Sequence, residues 1–348
     1  MKYLGAANSI ELCRWAGINR SSFYYKSHPG PRGMKPSAHT LQNGVLVDND
    51  QVVEEIRRIL GQPYCVYGYH MTTLELRGLG YLINHKKTYR LMDEKKLLCG
   101  KVIRTKGKRQ WVKFRRIKAT RPMEYLCLDI KYIWVQGENR WYYQLAIMDV
   151  YSRMIIAWIF QQSIRQKDVI AMMRHLDLRY GLKGVIIRND NGSQFIANQV
   201  RQTLIDLEAR QEFTHVATPE ENSYIESFHS IQQRELIDRY TFSSFYDAKS
   251  RIEEYMHWYN NVRRHGELEG FRPAEKWAQG WAWSLVRQQS EPAPEGMSRP
   301  DSEGLCAASA PYSLDLPSGT DYLCLTSEQA AVELVANQIV KRVQTIGV

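Results

Sequence analysis

EYLCLDIKYIWV, residues 124–135, is the stretch on which the fold turns. It is rich in β-branched and aromatic residues over a strand's length, and it holds one aspartate, Asp129, near its middle. Two runs of the same kind follow, RWYYQLAIMDV (140–150) and RMIIAWIF (153–160), divided by Gly137-Glu138-Asn139 and by Tyr151-Ser152. The pattern then changes to a helical run (166–181), a strand GVIIRN (184–189), a helix (197–210) and a short strand EFTHVA (212–217). Helices near 220–238 and 244–263 complete it. Three strands followed by alternating helices and strands predict a mixed five-stranded sheet flanked by helices, an α/β core over 119–284. In that order Asp129 lies within the first strand and Asp190 just past the end of the fourth. Glu226 lies on the helix that follows the fifth.

Each of these acids alone is more often a cap or a surface charge, so their surroundings decide the reading. Asp190 opens the tight turn Asp190-Asn191-Gly192-Ser193-Gln194 at a strand end, and thirty-five residues separate it from Glu226. Asn222 stands one helical turn before Glu226 and shares its face. Three carboxylates brought together repel, and burial pushes their pKa values up unless cations are present. Two divalent ions about 3.5–4 Å apart would relieve that repulsion and clamp the attacking and leaving oxygens of a phosphoryl transfer. Mg²⁺ suits such oxygen ligands, and Mn²⁺ can substitute. Asp129 is placed to bridge both ions, with Asp190 and Glu226 each completing one shell.

A net charge of +10 and a pI near 9.2 favour a polyanionic partner, although composition alone does not separate DNA from RNA or an acidic lipid surface. No run approaches the roughly 20 apolar residues a membrane helix needs. The first residues lack the order of a signal peptide, which points to a cytoplasmic, nucleoid-associated protein without a membrane partner. The six cysteines are scattered without a C-x-x-C pair, against a disulfide framework or a zinc site.

The N-terminal part reads as helical. Residues 1–30 hold a helix-turn-helix segment, with a turn at Gly17, Ser21 or Ser22 as the cap of a second helix, and Arg20 as a DNA contact. Residues 31–48 are rich in Pro, Gly and Ser and read as a linker. A second helix-turn-helix domain is predicted over 49–100, turning at Gly78 and Gly80 with Asn84 as cap. Its second helix presents His85, Lys86, Lys87 and Arg90 to a major groove. The linker 101–118 carries nine Lys or Arg and no acid, with Lys108, Arg109, Lys113, Arg115 and Arg116 as DNA contacts. Arg153, Asn222, Arg234, Arg263 and Arg264 are further candidate contacts. Residues 285–348 read as a low-complexity tail, with one terminal helix capped by Ser327. Trp277, Trp281 and Trp283 read as packing residues.

Asp129, Asp149-Tyr-Ser-Arg153, Asp190-Asn-Gly-Ser-Gln194, Asn222, Glu226-Ser-Phe228, Tyr259-Asn260 and Arg263-Arg264-His265 together resemble the integrase catalytic core of bacterial insertion-sequence transposases, nearest the orfB type. The stretch YGYHMTTLELRGLGYLINHKKTYRLM resembles the helix-turn-helix that precedes this core in that family. The resemblance covers roughly residues 9–280. It implies an RNase H-like core and a DDE-type triad of Asp129, Asp190 and Glu226 that binds two Mg²⁺ ions. It further implies strand cleavage and strand transfer on double-stranded DNA at the element's ends and target. A homo-oligomer on DNA and an upstream orfA-type partner or fusion belong to the same expectation. Gln233 departs from a position that is basic in many relatives, with Arg234 beside it. Two alternatives stay open: a non-catalytic regulator of transposition or inactive remnant, and a resolvase or RNase H-like nuclease.

Overall fold

The computed structural model describes residues 7–26, 36–100, 117–214 and 222–290, with side chains to 282. The basic run 101–116, the tail from 291 and the helix capped by Ser327 lie outside the described residues, as does the Trp283 side chain. The chain divides into two units, Met1–His39 and Thr40–Val348.

In the first unit, α1 (Ser9–Trp15) is capped by Asn8, whose side chain accepts from the Ile10 amide, and Gly17 makes the turn at φ +63°. The following α2 (Arg20–Phe23) is a single turn capped at Asn19 rather than at Ser21 or Ser22. Arg20 is exposed, with its guanidinium over Tyr24.

At the boundary between the units β1 (His39–Gln42) and β2 (Val45–Asp48) begin, so the last ten residues of the expected linker 31–48 form a hairpin. The reason is the dipeptide between them. Asn43 and Gly44 both take positive φ, 47° and 86°, the conformation of a tight two-residue hairpin turn. The helices α3 (Asn49–Leu60), α4 (Tyr69–Gly78) and α5 (His85–Glu94) follow, with β3 (Tyr81–Leu82) pairing onto β1. Asn84 caps α5 by accepting from the Lys87 amide, as its spacing predicted.

The central sheet has the order β6-β5-β4-β7-β8. Its strands are β4 (Tyr125–Val135), β5 (Arg140–Asp149), β6 (Ile155–Gln161), β7 (Ile186–Asn189) and β8 (Arg210–Phe213). The first three pair antiparallel as a meander, and β7 and β8 join in parallel beside β4, so the sheet is mixed as expected. The helices are α6 (Gln166–Tyr180), α7 (Ser193–Ile196), α8 (Asn198–Asp206), α9 (Ser223–Gln232), α10 (Phe245–Asn261) and α11 (Pro273–Ser290).

Side-chain alternation along β4 divides the core. Leu126 and Leu128 face one cluster with residues of α6 and α8, while Cys127, Ile133 and Val135 face another with α9 and α10. Asp129 is in phase with the second set, so it points to the α9 side. Val52, Ile56, Leu76 and Met92 of the helical block belong to this same cluster. Residues 49–100 therefore share a core with the sheet domain instead of closing a core of their own. Trp277 and Trp281 pack edge to face on the other side, as packing residues.

Candidate active site

The site begins with the pairing of β4 and β7. Cys127 stands opposite Arg188, and two further steps along that register bring Asp129 level with Asp190. β7 ends at Asn189, so Asp190 sits at the start of a turn and its carboxylate accepts from the Gly192 amide at 3.0 Å. Burial pushes the Asp190 carboxyl up from its usual range, and the neighbouring charge of Asp129 adds to the rise. Two acids are therefore held within electrostatic reach, one within β4 and one just past the end of the adjacent β7.

The third acid comes from α9. This helix crosses β4 through two contacts: Asn222 Nδ2 donates to the Leu128 carbonyl at 3.4 Å, and His229 Nδ1 lies 3.2 Å from Asp129 Oδ2. At 100° per residue, Glu226 leaves α9 within about 60° of both Asn222 and His229, on the flank that carries the two contacts to β4. It is exposed. Among the described residues, no three His, Cys, Asp or Glu side chains stand close enough to hold a metal ion. The helix thus carries Glu226 on the flank of α9 that meets β4.

Two residues beside this triplet were not singled out from sequence. His229 is buried, and its Nδ1 steers one oxygen of Asp129 while Nε2 has no partner among the described residues. Lys131, two residues along β4 and therefore on the same face, is held below its ordinary pKa by burial, against the opposing pull of Asp129 and Asp238. The strand's period of two could have found Lys131. The Glu226-x-x-His229 spacing could have found His229.

The remaining motif residues fasten these elements together. Asp149 is buried and accepts from the Met123 amide, the Ser152 amide and the Ser152 hydroxyl. Burial lifts its carboxyl to about 6 against those three bonds. The turn it closes puts Arg153 at φ +64°, a conformation non-glycine residues seldom take. Asn260 clasps the edge of β6 with both side-chain atoms, accepting from the Ile155 amide at 3.0 Å and donating to its carbonyl at 2.9 Å. The single π turn Gln233–Ile237 extends α9 and buries Glu235 completely. There Arg263 meets Glu235 through Nε and Nη2 at 3.1 Å, and the Tyr255 hydroxyl donates at 3.2 Å.

Several expected DNA contacts are consequently corrected. Arg263 is buried in that ion pair. Arg264 pairs with Glu75 of α4 at 3.0 Å and donates to the Gly270 carbonyl. Asn222 is 4% exposed and holds α9 to β4. Charge counted along a sequence does not distinguish a cation facing solvent from one matched by a distant acid. His85 stacks on His70, with their rings 5.1 Å apart, and remains exposed together with Lys86. Lys87 and Arg90 are half-buried, the latter 3.8 Å from Glu94. Arg234 is exposed, while Gln233 donates to Asp238. Arg153 is half-buried over Tyr224. Lys108, Arg109, Lys113, Arg115 and Arg116 lie outside the described residues. Among the described residues no helix is long and apolar enough to cross a membrane.

The integrase core domain family matches residues 119–219, a second integrase core family matches 207–273, and an HTH-like domain matches 48–106. The putative transposase InsK for insertion sequence element IS150 of Escherichia coli (strain K12) is 26% identical over 281 residues, covering 76% of this chain and 92% of that protein. In these regions the chain is similar to the insertion-sequence transposases of the integrase-core type. The transposase for insertion sequence element IS904 of Lactococcus lactis subsp. lactis (strain IL1403) is 27% identical, across 68% of this chain and 97% of its own length. A solved structure of the HTLV-2 integrase catalytic core domain in complex with magnesium is 12% identical, with a TM-score of 0.31 over 45% of this chain and 97% of that one. Asp129, Asp190, Glu226, His229 and Lys131 all fall within the integrase-core matches, and α4 and α5 within the HTH-like match.

Proposed function

We propose that this integrase-core protein is a DDE-type DNA transposase that cuts DNA strands at the ends of a mobile element and joins them to a target. What supports the reading is the strand register that carries Asp129 toward Asp190, with α9 crossing β4 through Asn222 and His229 on the flank from which Glu226 would reach the pair. The oxygen-only donor set and the raised Asp190 carboxyl suit a hard divalent cation. Asp129, Asp190 and Glu226 would hold two Mg²⁺ ions, or Mn²⁺ in their place. When bound, such a pair supplies activation of the attacking oxygen and stabilisation of the leaving one. His229 keeps one oxygen of Asp129 turned toward α9, and Lys131 adds positive charge beside the position a phosphate would take. Closing the site requires Glu226 to approach, by side-chain rotation or by a small shift of α9.

The domain roles follow from the same reading. The HTH-like region would bind the element's ends with α5, through His85 and Lys86, and the basic run 101–118 would follow the phosphate backbone. Joining two ends to one target calls for more than one copy of the core, which supports a homo-oligomer on DNA. An upstream partner or fusion is part of the proposal.

The test uses the full-length protein and a labelled duplex taken from the inverted repeats flanking its gene. With Mg²⁺, nicked and then joined products are expected, both lost on chelation. Binding without cutting under any divalent metal would favour the regulator or remnant. Cut product without joined product would favour a nuclease.

A further inference from the structure

We infer that a cavity on the flank of α9 opposite Glu226 is a binding pocket for a single nucleobase swung out of the DNA near the cut, an inference that rests on the function proposed above. The cavity has a volume of about 360 Å³, within the usual size for a small-ligand site. Its walls are largely apolar and aromatic: Met148, Phe228, Ile231 and Tyr259, with Tyr224 beside them. Of its polar groups, Tyr224 and Arg153 are held in place.

Tyr224 is tied down by its hydroxyl, which donates to the Ile117 carbonyl at 2.7 Å. The Arg153 guanidinium lies 3.8 Å from the centre of that ring, making a stacked planar surface of the kind on which bases settle. Arg153 occupies its left-handed conformation because the Asp149–Ser152 turn fixes it there. Strain kept at one position by a fully bonded turn is characteristic of binding and catalytic sites. His265 lies at the other side, 7% exposed, and its Nε2 has no hydrogen-bond partner among the described residues. A buried imidazole nitrogen left unpaired is costly unless something polar arrives. Burial also takes the His265 pKa down to about 3, so the ring is neutral and offers a base edge a hydrogen bond without a charge.

These features select a base over a phosphate. A phosphate would meet mostly apolar walls, a neutral histidine, the Glu267 carboxylate at the rim and an Arg153 guanidinium already engaged by the Tyr224 ring and the Val150 carbonyl. A base has a face to lay on Tyr224 and Arg153 and edge groups to meet His265. The placement also fits. Ser223 and Ser227, which line the pocket, bracket Glu226 on α9, and the width of one helix, about 10 Å, separates the pocket from the aspartates. A nucleotide one or two steps from the scissile phosphate could span that width once unstacked. Unstacking one base costs a few kcal/mol, least where pairing is already weak.

The probe is the element-end duplex with 2-aminopurine placed at each of the positions flanking the cut in turn. Its fluorescence rises when the base leaves the stack. Wild type is expected to give the rise at one position only. Ser227 is exposed at the rim, so Ser227→Trp should fill the cavity without disturbing the core, whereas Ser250→Trp puts the same bulk on an exposed face of α10 outside the pocket. The Ser227→Trp variant should lose the rise and join strands roughly tenfold more slowly, in line with the loss of one stacking contact. The Ser250→Trp variant should keep both. A duplex that is bound and cut with no rise at any position would overturn the pocket and leave the transposase reading standing. So would an equal rise in Ser227→Trp. A duplex neither bound nor cut would remove both together.

Discussion

Asp129→Asn is expected to abolish cutting and joining, lowering the rate by roughly 10³-fold or more, while leaving the fold and end binding in place. The substitution keeps the size of the side chain and an oxygen for the 3.2 Å contact with His229. It removes the negative charge that would face both metal ions. It also relieves the repulsion that raises Asp190, so stability should hold or rise slightly. On the proposed function, end binding belongs to the HTH-like region and not to the substituted side chain. The comparison of rate and binding in one preparation therefore isolates the chemistry. A matched change at the exposed Asp206, which meets only Gln202 in its own helix, should do nothing. A variant at Asp129 that cuts and joins at the wild-type rate would end the metal-site reading.

The largest stability effect is expected at the Glu235–Arg263 pair. Both side chains are buried, and Arg263→Ala leaves the Glu235 carboxylate with only the Tyr255 hydroxyl for company. Removing one partner of a buried pair costs about 3–5 kcal/mol, on the order of a 10 °C fall in Tm for a domain of this size. The loss should depend on pH with a definite sign. Burial already raises the folded-state pKa of Glu235, and Arg263 is the main force holding it down. Without the arginine it rises further, so the folded variant takes up a proton at pH values where the unfolded chain has none. Stability of the variant should accordingly grow as pH falls from neutral toward the ordinary glutamate range, and the deficit against wild type should shrink. Replacing both residues by Met should recover much of the loss. Thermal unfolding of the single and double variants at pH 5 and pH 7 provides the check. A deficit under about 1 kcal/mol at neutral pH, with no pH trend, would mean the pair carries no such weight.

The expected consequence for activity follows from position. The π turn that buries Glu235 is continuous with α9, and Gln232 just before it donates to Gln144 of β5 at 2.9 Å. Asn222, His229, Gln232 and Glu235 thus fasten α9 at its start, middle and end. An enzyme that needs Glu226 within coordinating reach of two aspartates has reason to hold that helix so firmly. Only a modest adjustment is left for substrate binding to drive.

Much of this was legible from residues. The three β-rich runs gave the meander, and the alternating helices and strands after them gave the two parallel additions. Asp129 in mid-strand, Asp190 at a strand end and Glu226 on the following helix all stand where pattern placed them. What pattern could not supply was the partner of each face. The periodicity of Val52, Val53, Ile56 and Ile59 marks an apolar stripe on α3, but only the fold reveals that it packs into the cluster holding α9 and α10. Arg263 and Arg264 read as a basic surface because their acids, Glu235 and Glu75, lie 28 and 189 positions away in sequence. The hairpin at Asn43-Gly44 is different in kind. Its turn signal was present in the residues and was outweighed by the proline and glycine that precede it.

The most direct test of the central claim is a structure of the protein on its element-end duplex with Mn²⁺, located by anomalous scattering. The account expects two ions about 3.5–4 Å apart, both touching Asp129, with Asp190 on one and Glu226 on the other. Ions bound without Asp129, or a Glu226 carboxylate still turned to solvent while DNA occupies the site, would contradict it.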